Sequence, residues 1–384
     1  MTKLVIKNGK VYRNRQFSIE DILIENGCFS LFGKELSVDG ATVIDAQGQL
    51  IVPGFFDIHT HGGYHVDFNH ADPDSLEKVS QFFASQGTTY AHMSLVTDEL
   101  PQIEACIDAY NIYKENTAKV IRGIHLEGPF LSHEYRGSMP AHLLVDYDAK
   151  MVQSLQERAQ GDIRYITVAP EVPGVLEAIP NLRQLGIKVS IGHSAATYEI
   201  ACQAIEKGAE TCTHTFNAMR LFHQHEPAIM GAVLEKDSVY CEAICDGRHL
   251  HPGTVKMLLA TKGWEKVIAI TDSIMAAGLP DGNYKLGVND IVVIDGDAQL
   301  ATEKVRAGST LTTIQALKNI CQFTGEKVEK VLPLLTENPA KLLGVFDTVG
   351  SIDYGKAADI LLLSDDLAVK KTLIAGQIVF ETGE

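Results

Sequence analysis

Eight short apolar segments recur along the middle of this chain, most of them followed by an amphipathic stretch. That alternation limits the fold more than any other feature. The segments are "FFDIHTH", "TTYAHMSLV", "VIRGIHLEGP", "IRYITVAP", "KVSIGHS", "ETCTHTF", "VYCEAIC" and "KVIAITDS". Helical candidates between them include "DPDSLEKVSQFFASQG", "LPQIEACIDAYNIYKEN", "GVLEAIPNLRQLG", "ATYEIACQAIEKG" and "GTVKMLLATKG". Several of these end in glycine, as helix C-caps do. Near-continuous apolar strands alternating with amphipathic helices predict a parallel sheet, and eight such units predict closure into a TIM-like (β/α)8 barrel. An open, doubly wound sheet is the alternative. After the eighth segment, "YKLGVNDIVVIDGDAQLATE" reads as a β-hairpin insertion.

A length of 384 residues suits one large barrel with an appendage. Both ends of the chain are β-rich: "KLVIKNGKVY", "SIEDILIENGCFSLFG" and "ATVIDAQGQLIVPG" at the start, "GSIDYGKAADILLLS" and "VKKTLIAGQIVFETG" at the finish. "KNGK" and "ENG" read as hairpin turns. Neither end is long enough for a full sheet, and exposed sheet edges need partners. Residues 1–53 and 345–384 are therefore expected to form one discontinuous β-sandwich domain, with residues 54–344 as the barrel.

Composition removes several function classes. Hydrophobic residues make up 45% and charged residues 21%, which excludes wholesale disorder. A net charge of −16 argues against nucleic acid and anionic membranes as partners. An anionic substrate would need a local basic or helix-terminus site. The seven cysteines are odd in number, irregularly spaced and without a CxxC, as expected for reduced, mostly buried thiols of a cytoplasmic protein. No signal-peptide pattern opens the sequence, and no apolar run approaches the ~18 residues of a membrane span.

In a barrel, reactive side chains gather at the C-terminal ends of the strands. Here His59 and His61 close the first segment, Glu127 the third, His193 the fifth, His214 the sixth and Asp272 the eighth. Imidazoles with a carboxylate suit Zn²⁺ or Fe²⁺, whereas Mg²⁺ and Ca²⁺ prefer oxygen. Four histidines and a glutamate exceed the usual three protein ligands of one catalytic metal, so two ions bridged by Glu127 fit as well as one. Asp272 is left as a general base. Taken singly, each residue reads more readily as a cap, a solvated charge or a hydrogen-bonded core histidine; their joint placement on strand ends carries the metal reading. No GxSxG, GxGxxG or P-loop occurs. Among the other histidines, His70 and His133 read as surface residues, and His65 and His92 as support or packing. His125 reads as a support lining the barrel interior, and His251 as the start of a helix.

The motifs "PGFFDIHTHG", "GIHLEGPF", "SIGHS", "THTFNAM", "CDGRH" and "AITDS" resemble the amidohydrolase superfamily and, within it, the N-acetylglucosamine-6-phosphate deacetylase family, over nearly the whole chain. The resemblance implies a distorted (β/α)8 barrel with a small β-sandwich. It implies Glu127, His193 and His214 as ligands of the hydrolytic metal, Asp272 as catalytic acid and base, and His249 beside the substrate carbonyl. It implies backbone contacts from Asn217 and Ala218 to a sugar phosphate, hydrolysis of an acetamido bond, and a homodimer. His59 and His61 are the pair that decides between one metal and two. Two positions depart from the family pattern. Met139 stands where many members place a substrate-contacting histidine, with His142 three residues on. His225 stands where an arginine commonly precedes Glu-Pro and reaches phosphate in the neighbouring subunit. Arg220, His223 and His225 would then form a weaker anion site, because histidine lacks arginine's fixed charge and fork geometry.

Those departures keep an N-acetylgalactosamine 6-phosphate deacetylase in view. Amidohydrolases that use a carboxylated lysine on the fourth strand fit poorly, since that segment ends "ITVAPE" without a lysine. A non-catalytic binding relative is the reading from a different class, and the complete ligand set with Asp272 argues against it.

Overall fold

The structure, a computed structural model, describes residues 2–115 and 119–383. Asn116, the last residue of one quoted stretch, and Met1 and Glu384, at the ends of the expected β-domain, lie outside them. The eight segments are the strands of one parallel sheet: β1 (Phe55–Asp57), β2 (Thr88–Val96), β3 (Ile121–Glu127), β4 (Ile163–Val168), β5 (Lys188–Ile191), β6 (Thr211–Cys212), β7 (Tyr240–Ile244) and β8 (Val267–Ile270). They pair in chain order, each with the next. The ladder does not run from β8 to β1; other bonds close that seam. Asp57 accepts from the Thr271 backbone N–H (3.2 Å) and hydroxyl (2.6 Å). Just beyond the strand ends, Asp272 N–H donates to the His59 carbonyl (2.9 Å) and His61 N–H to the Ser273 carbonyl (2.7 Å). The eight strands thus form a nearly closed barrel.

Helices follow the strands and cover the outside. Pro73–Ser85 is capped by Asp72, which accepts from Ser75 N–H (2.7 Å), and Tyr198–Lys207 stops at Gly208 in the left-handed region. Leu100–Tyr113, Ala149–Arg158, Val175–Gln184, Ala228–Glu235, Pro252–Lys262 and Thr313–Thr324 complete the layer. The insertion after β8 is a three-stranded meander, Gly282–Leu286, Asn289–Ile294 and Asp297–Leu300.

The terminal strands join in a second, eight-stranded sheet. Leu50–Pro53 pairs antiparallel with Ile360–Leu363, which ties the two ends of the chain together. Lys3–Arg13 pairs in parallel with Thr42–Asp45 along its first half and with Leu50–Pro53 along its second. Between the halves, the "KNGK" stretch is a bulge inside this strand and not a hairpin turn: the register shifts between Ile6 and Gly9, and Asn8 takes φ 58. Gly9 is needed there because a Cβ would fall 2.2 Å from Ile51 Cδ1. The turn lies further on, at Asn14 and Arg15 (φ 50 and 61), both left-handed as a type I′ turn requires. The "ENG" turn is where the sequence places it, with Asn26 and Gly27 at positive φ. Ile6, Val11, Ile22, Phe29, Ile51, Ile360 and Leu373 fill a core belonging to this sheet.

Candidate metal centre and active site

Six side chains from five strand ends meet at the mouth of the barrel, forming two triads: His59, His61 and Asp272, and Glu127, His193 and His214. The seam between β1 and β8 brings the first triad together. The continuous ladder through β3, β5 and β6 supplies the second. His193, His214 and Asp272 leave their strands with φ 47, 26 and 51. This left-handed backbone costs roughly 1–2 kcal/mol per residue and turns each side chain into the mouth. Glu127 faces both triads. Its Oε1 lies 3.1 Å from His193 Nε2, 3.2 Å from His214 Nε2 and 3.5 Å from His59 Nε2, and its Oε2 lies 3.2 Å from His61 Nε2. Asp272 Oδ1 lies 3.1 Å from His61 Nε2 and 3.5 Å from His59 Nε2.

The donor chemistry fits a cation. His61 Nδ1–H donates to the Ser94 carbonyl (3.0 Å) and His193 Nδ1–H to the Tyr135 carbonyl (2.9 Å). A carbonyl only accepts, so in the neutral ring the lone pair sits on Nε2. His59 Nδ1 is held by the Glu242 carboxylate (3.0 Å), which leaves its Nε2 facing inward as well. These lone pairs point at carboxylate oxygens and at each other, with His59 and His61 Nε2 only 3.3 Å apart. Acceptors facing acceptors are repulsive unless something positive lies between them. Protons can serve. Burial opposes a charge on His61, but hydrogen bonds to Asp272 and Glu127 outweigh it and raise its pKa to about 9. His59 is raised for the same reason, by Glu242, Glu127 and Asp272 against burial. Glu127 and Asp272 are lowered in turn, the surrounding imidazoles outweighing burial. A divalent metal would replace those protons.

A polar layer beneath the triads fixes them. Glu242 also accepts from the Tyr165 hydroxyl (2.6 Å) and the His214 backbone N–H (3.0 Å), so one carboxylate braces both triads. Neither Glu242 nor Asp57 stands out in the sequence, because each is a single carboxylate in an apolar strand. Their only signal is a charge where a strand buried on both faces should have none. Burial raises the Asp57 carboxyl to about 7. His125 is the support expected of it, bonded to Ser94 Oγ and Thr167 Oγ1 at 2.9 Å each, with its ring 4.6 Å from that of His59. His92 is packing: both ring nitrogens are buried without a partner among the described residues, and burial lowers its pKa to about 3.

The triads open into a cavity of about 240 Å³. Asn217, Ala218, Met139 and His249 line it, as does Arg306, which sequence reasoning missed. His249 is held by Asp246 through Nδ1 (2.7 Å), so its Nε2 is the free edge. Asn217 N–H is committed to the His214 carbonyl (2.9 Å). Of the two backbone donors expected for phosphate, Ala218 N–H alone has no partner among the described residues. The loop after β3 covers this side, with Gly137 at φ 57 so close that a Cβ would lie 3.1 Å from His193 Cε1. A larger hollow of about 580 Å³ lies against the terminal sheet and holds no metal-type cluster among the described residues.

Other expected residues fall elsewhere. His142 is exposed and borders a separate, mostly apolar hollow next to the cavity. Arg220, His223 and His225 sit on a loop outside the cavity lining, where Arg220 pairs with Glu226 (3.2 Å). His65, His70 and His133 are exposed. Asp67 is buried and caps the helical turn Phe68–His70. His251 caps the helix Pro252–Lys262, accepting from Gly253 N–H (3.0 Å). All seven cysteines are free thiols.

The amidohydrolase family profile matches residues 50–379. The chain belongs to the amidohydrolase family. Within it, the chain belongs with the N-acetylglucosamine-6-phosphate deacetylases. It is 35% identical to the N-acetylglucosamine-6-phosphate deacetylase of Bacillus subtilis (strain 168), over 87% of this chain and 86% of that one. It is 32% identical to the N-acetylgalactosamine-6-phosphate deacetylase of Escherichia coli O157:H7, over 88% and 89%. An Asp-to-Ala mutant of the Mycobacterium smegmatis N-acetyl-D-glucosamine-6-phosphate deacetylase, solved with N-acetyl-D-glucosamine-6-phosphate, matches with a TM-score of 0.92 at 30% identity, covering 100% of each chain. The resemblance read from the motifs is thereby borne out, as is the barrel read from the alternation. No helix among the described residues is long and apolar enough to cross a membrane.

Proposed function

We propose that this chain hydrolyses the acetamido bond of N-acetyl-D-glucosamine 6-phosphate, giving D-glucosamine 6-phosphate and acetate, as a step of amino sugar catabolism. The observation that carries the reading is the pair of triads, with Glu127 of one facing the histidines of the other, at the floor of one cavity, in a chain similar end to end to deacetylases of this substrate. Glu127, His193 and His214 would hold the hydrolytic divalent ion, Zn²⁺ or Fe²⁺, and His59 with His61 would hold a second where one binds. When bound, the ion supplies Lewis acidity and lowers the pKa of a water in the site.

The chain's own groups do the rest. Asp272 takes a proton from the attacking water and returns it to the amide nitrogen, which leaves as a neutral amine. His249 donates from Nδ1 to Asp246, and with its ring carrying both protons it donates from Nε2 to the carbonyl oxygen as charge builds there. The buried floor keeps these groups out of bulk water, where their electrostatic effects would be screened.

The sugar phosphate is the partner, bound at the rim beside Asn217 and Ala218, with Arg220, His142 and His225 further out. A homodimer is supported by Leu221 and Phe222, which are 68% and 59% exposed on the Arg220–Glu226 loop. A cytoplasmic location is supported by the free thiols. We divide the chain at residues 1–53 with 345–384 and residues 54–344, because the Leu50–Pro53 pairing with Ile360–Leu363 joins the outer segments.

The test is a deacetylation assay on N-acetylglucosamine 6-phosphate, N-acetylgalactosamine 6-phosphate and unphosphorylated N-acetylglucosamine, with Zn²⁺, Fe²⁺ and Mn²⁺ compared. Preference for the first substrate supports the reading. Preference for the galacto epimer transfers it to that sugar, and indifference to phosphate removes it.

A further inference from the structure

The substrate class proposed above carries a phosphate of about −1.5 to −2 charge at pH 7, and it must enter a chain of net charge −16. Arg306 is the only arginine or lysine among the described residues that line the cavity. It follows the three-stranded insertion, and several bonds fix it. Its backbone forms an antiparallel bridge with Gln299, and Ala307 N–H donates to the Ala298 carbonyl (3.2 Å). Its side chain grips Asp297 with two prongs, Nε to Oδ1 (2.8 Å) and Nη2 to Oδ2 (3.2 Å), and Gln299 Nε2 donates to the same carboxylate (2.9 Å). Asp297 thus takes one edge of the guanidinium. Nη1 has no partner among the described residues, and the side chain stays 44% exposed.

The neighbouring cation cannot fill this role. Arg248 donates from Nη1 to the Gly296 carbonyl (3.3 Å) and from Nη2 to the Asp295 carbonyl, which commits it to bracing a turn of the insertion. Asp246 is nearby but already satisfied, by the backbone N–H groups of Arg248 and His249 (2.8 Å each) and by His249 Nδ1 (2.7 Å). The backbone also links Arg306 to the reaction centre. Ser309 N–H donates to the Asp272 carbonyl (2.7 Å). Three residues of chain span at most roughly 11 Å, comparable to the length of a pyranose with its 6-phosphate.

We propose that Arg306, positioned by Asp297, binds the anionic 6-substituent of the sugar from within the same subunit. This chain has His225 where the resembled family commonly carries an arginine for phosphate, and Arg306 restores a permanent fork-shaped cation inside the cavity lining. Asp297 is a positioning residue. It orients the fork and leaves the outer edge to the phosphate.

The inference rests on the sugar-phosphate reading, so the wild-type enzyme is assayed first on N-acetylglucosamine 6-phosphate and on N-acetylglucosamine. Failure to prefer the phosphorylated sugar defeats that reading, and this inference with it, before any substitution is made. Given a preference, Arg306→Gln is expected to lower kcat/KM for the phosphorylated sugar about 10–100-fold, mostly through KM. The ratio between the two sugars should collapse by the same factor. Arg306→Lys should recover part of the loss, and Asp297→Asn should raise KM for the phosphorylated sugar while kcat holds. Inhibition by inorganic phosphate should weaken in parallel with Arg306→Gln. An unchanged ratio in Arg306→Gln overturns the proposal. So does an equal loss on both sugars with a lowered Tm, which would make the Arg306–Asp297 pair a brace of the insertion.

Discussion

The floor of the cavity and its rim are built by opposite means. Every group on the floor leaves the end of a barrel strand and is buried, and three of the four histidines have the ring edge away from the cavity held by a second group: Glu242 for His59, the Ser94 carbonyl for His61, the Tyr135 carbonyl for His193. The rim is loop and insertion, and its charged groups are half exposed, as with Arg306 (44%) and Arg220 (40%). The floor is preorganised for one chemistry; the rim can change its residues without disturbing it. That is how a chain can keep both triads while carrying Met139 and His225 at the positions where it departs from the family pattern.

The comparison breaks first at Asp272. Asp272→Asn should lower kcat about 1000-fold, with KM little changed and the metal at Glu127, His193 and His214 retained. Metal analysis alongside the kinetics separates two roles: loss of one equivalent of metal would make Asp272 a ligand of the His59–His61 group as much as a proton carrier. Next comes Glu242→Gln, a floor change outside the cavity lining. It should weaken metal binding about 10–100-fold, read by competition with a chelator.

Metal removal gives a smaller effect with a defined sign. In the metal-free protein His61 is raised to about 9, above its ordinary value near 6.5. The protonated ring therefore stabilises the fold fully below about pH 6.5, and that contribution is lost as pH rises through about 9. The Tm of chelated protein should fall across this window, while metal-loaded protein stays nearly flat; parallel curves would mean that no proton had stood in for the metal. The smallest effect is expected on the loop outside the cavity lining, where His225→Ala should change kcat/KM less than about threefold, since exposed, solvent-screened groups contribute little. A larger loss would move phosphate recognition back to the Arg220–Glu226 loop.

The floor was legible because its residues sit where two rules intersect. Alternation located the strands, and metal-type residues ended five of them. Glu242 and Asp57 were not legible: each acts through a partner on another strand, His59 or Thr271, that no local spacing connects to it. Arg306 escaped for the same reason, since its function depends on an insertion folding back over the mouth. The misread "KNGK" has a different cause. Asn-Gly favours left-handed backbone, and the chain used that preference to bend a strand. The true turn formed at Asn14 and Arg15 without a glycine, with Arg15 bound to Glu265 at 2.6 and 2.8 Å.

The tie between Leu50–Pro53 and Ile360–Leu363 sets an order of assembly. Those strands emerge from the ribosome separated by roughly 300 residues, at about 5–20 residues per second. The N-terminal sheet must therefore wait on the order of tens of seconds with one edge unpaired. During that interval Ile51 and Val52 are open to strands of other nascent chains. Yield in the cell should thus depend on translation speed and on chaperones that shield β edges, quite apart from the stability of the finished molecule.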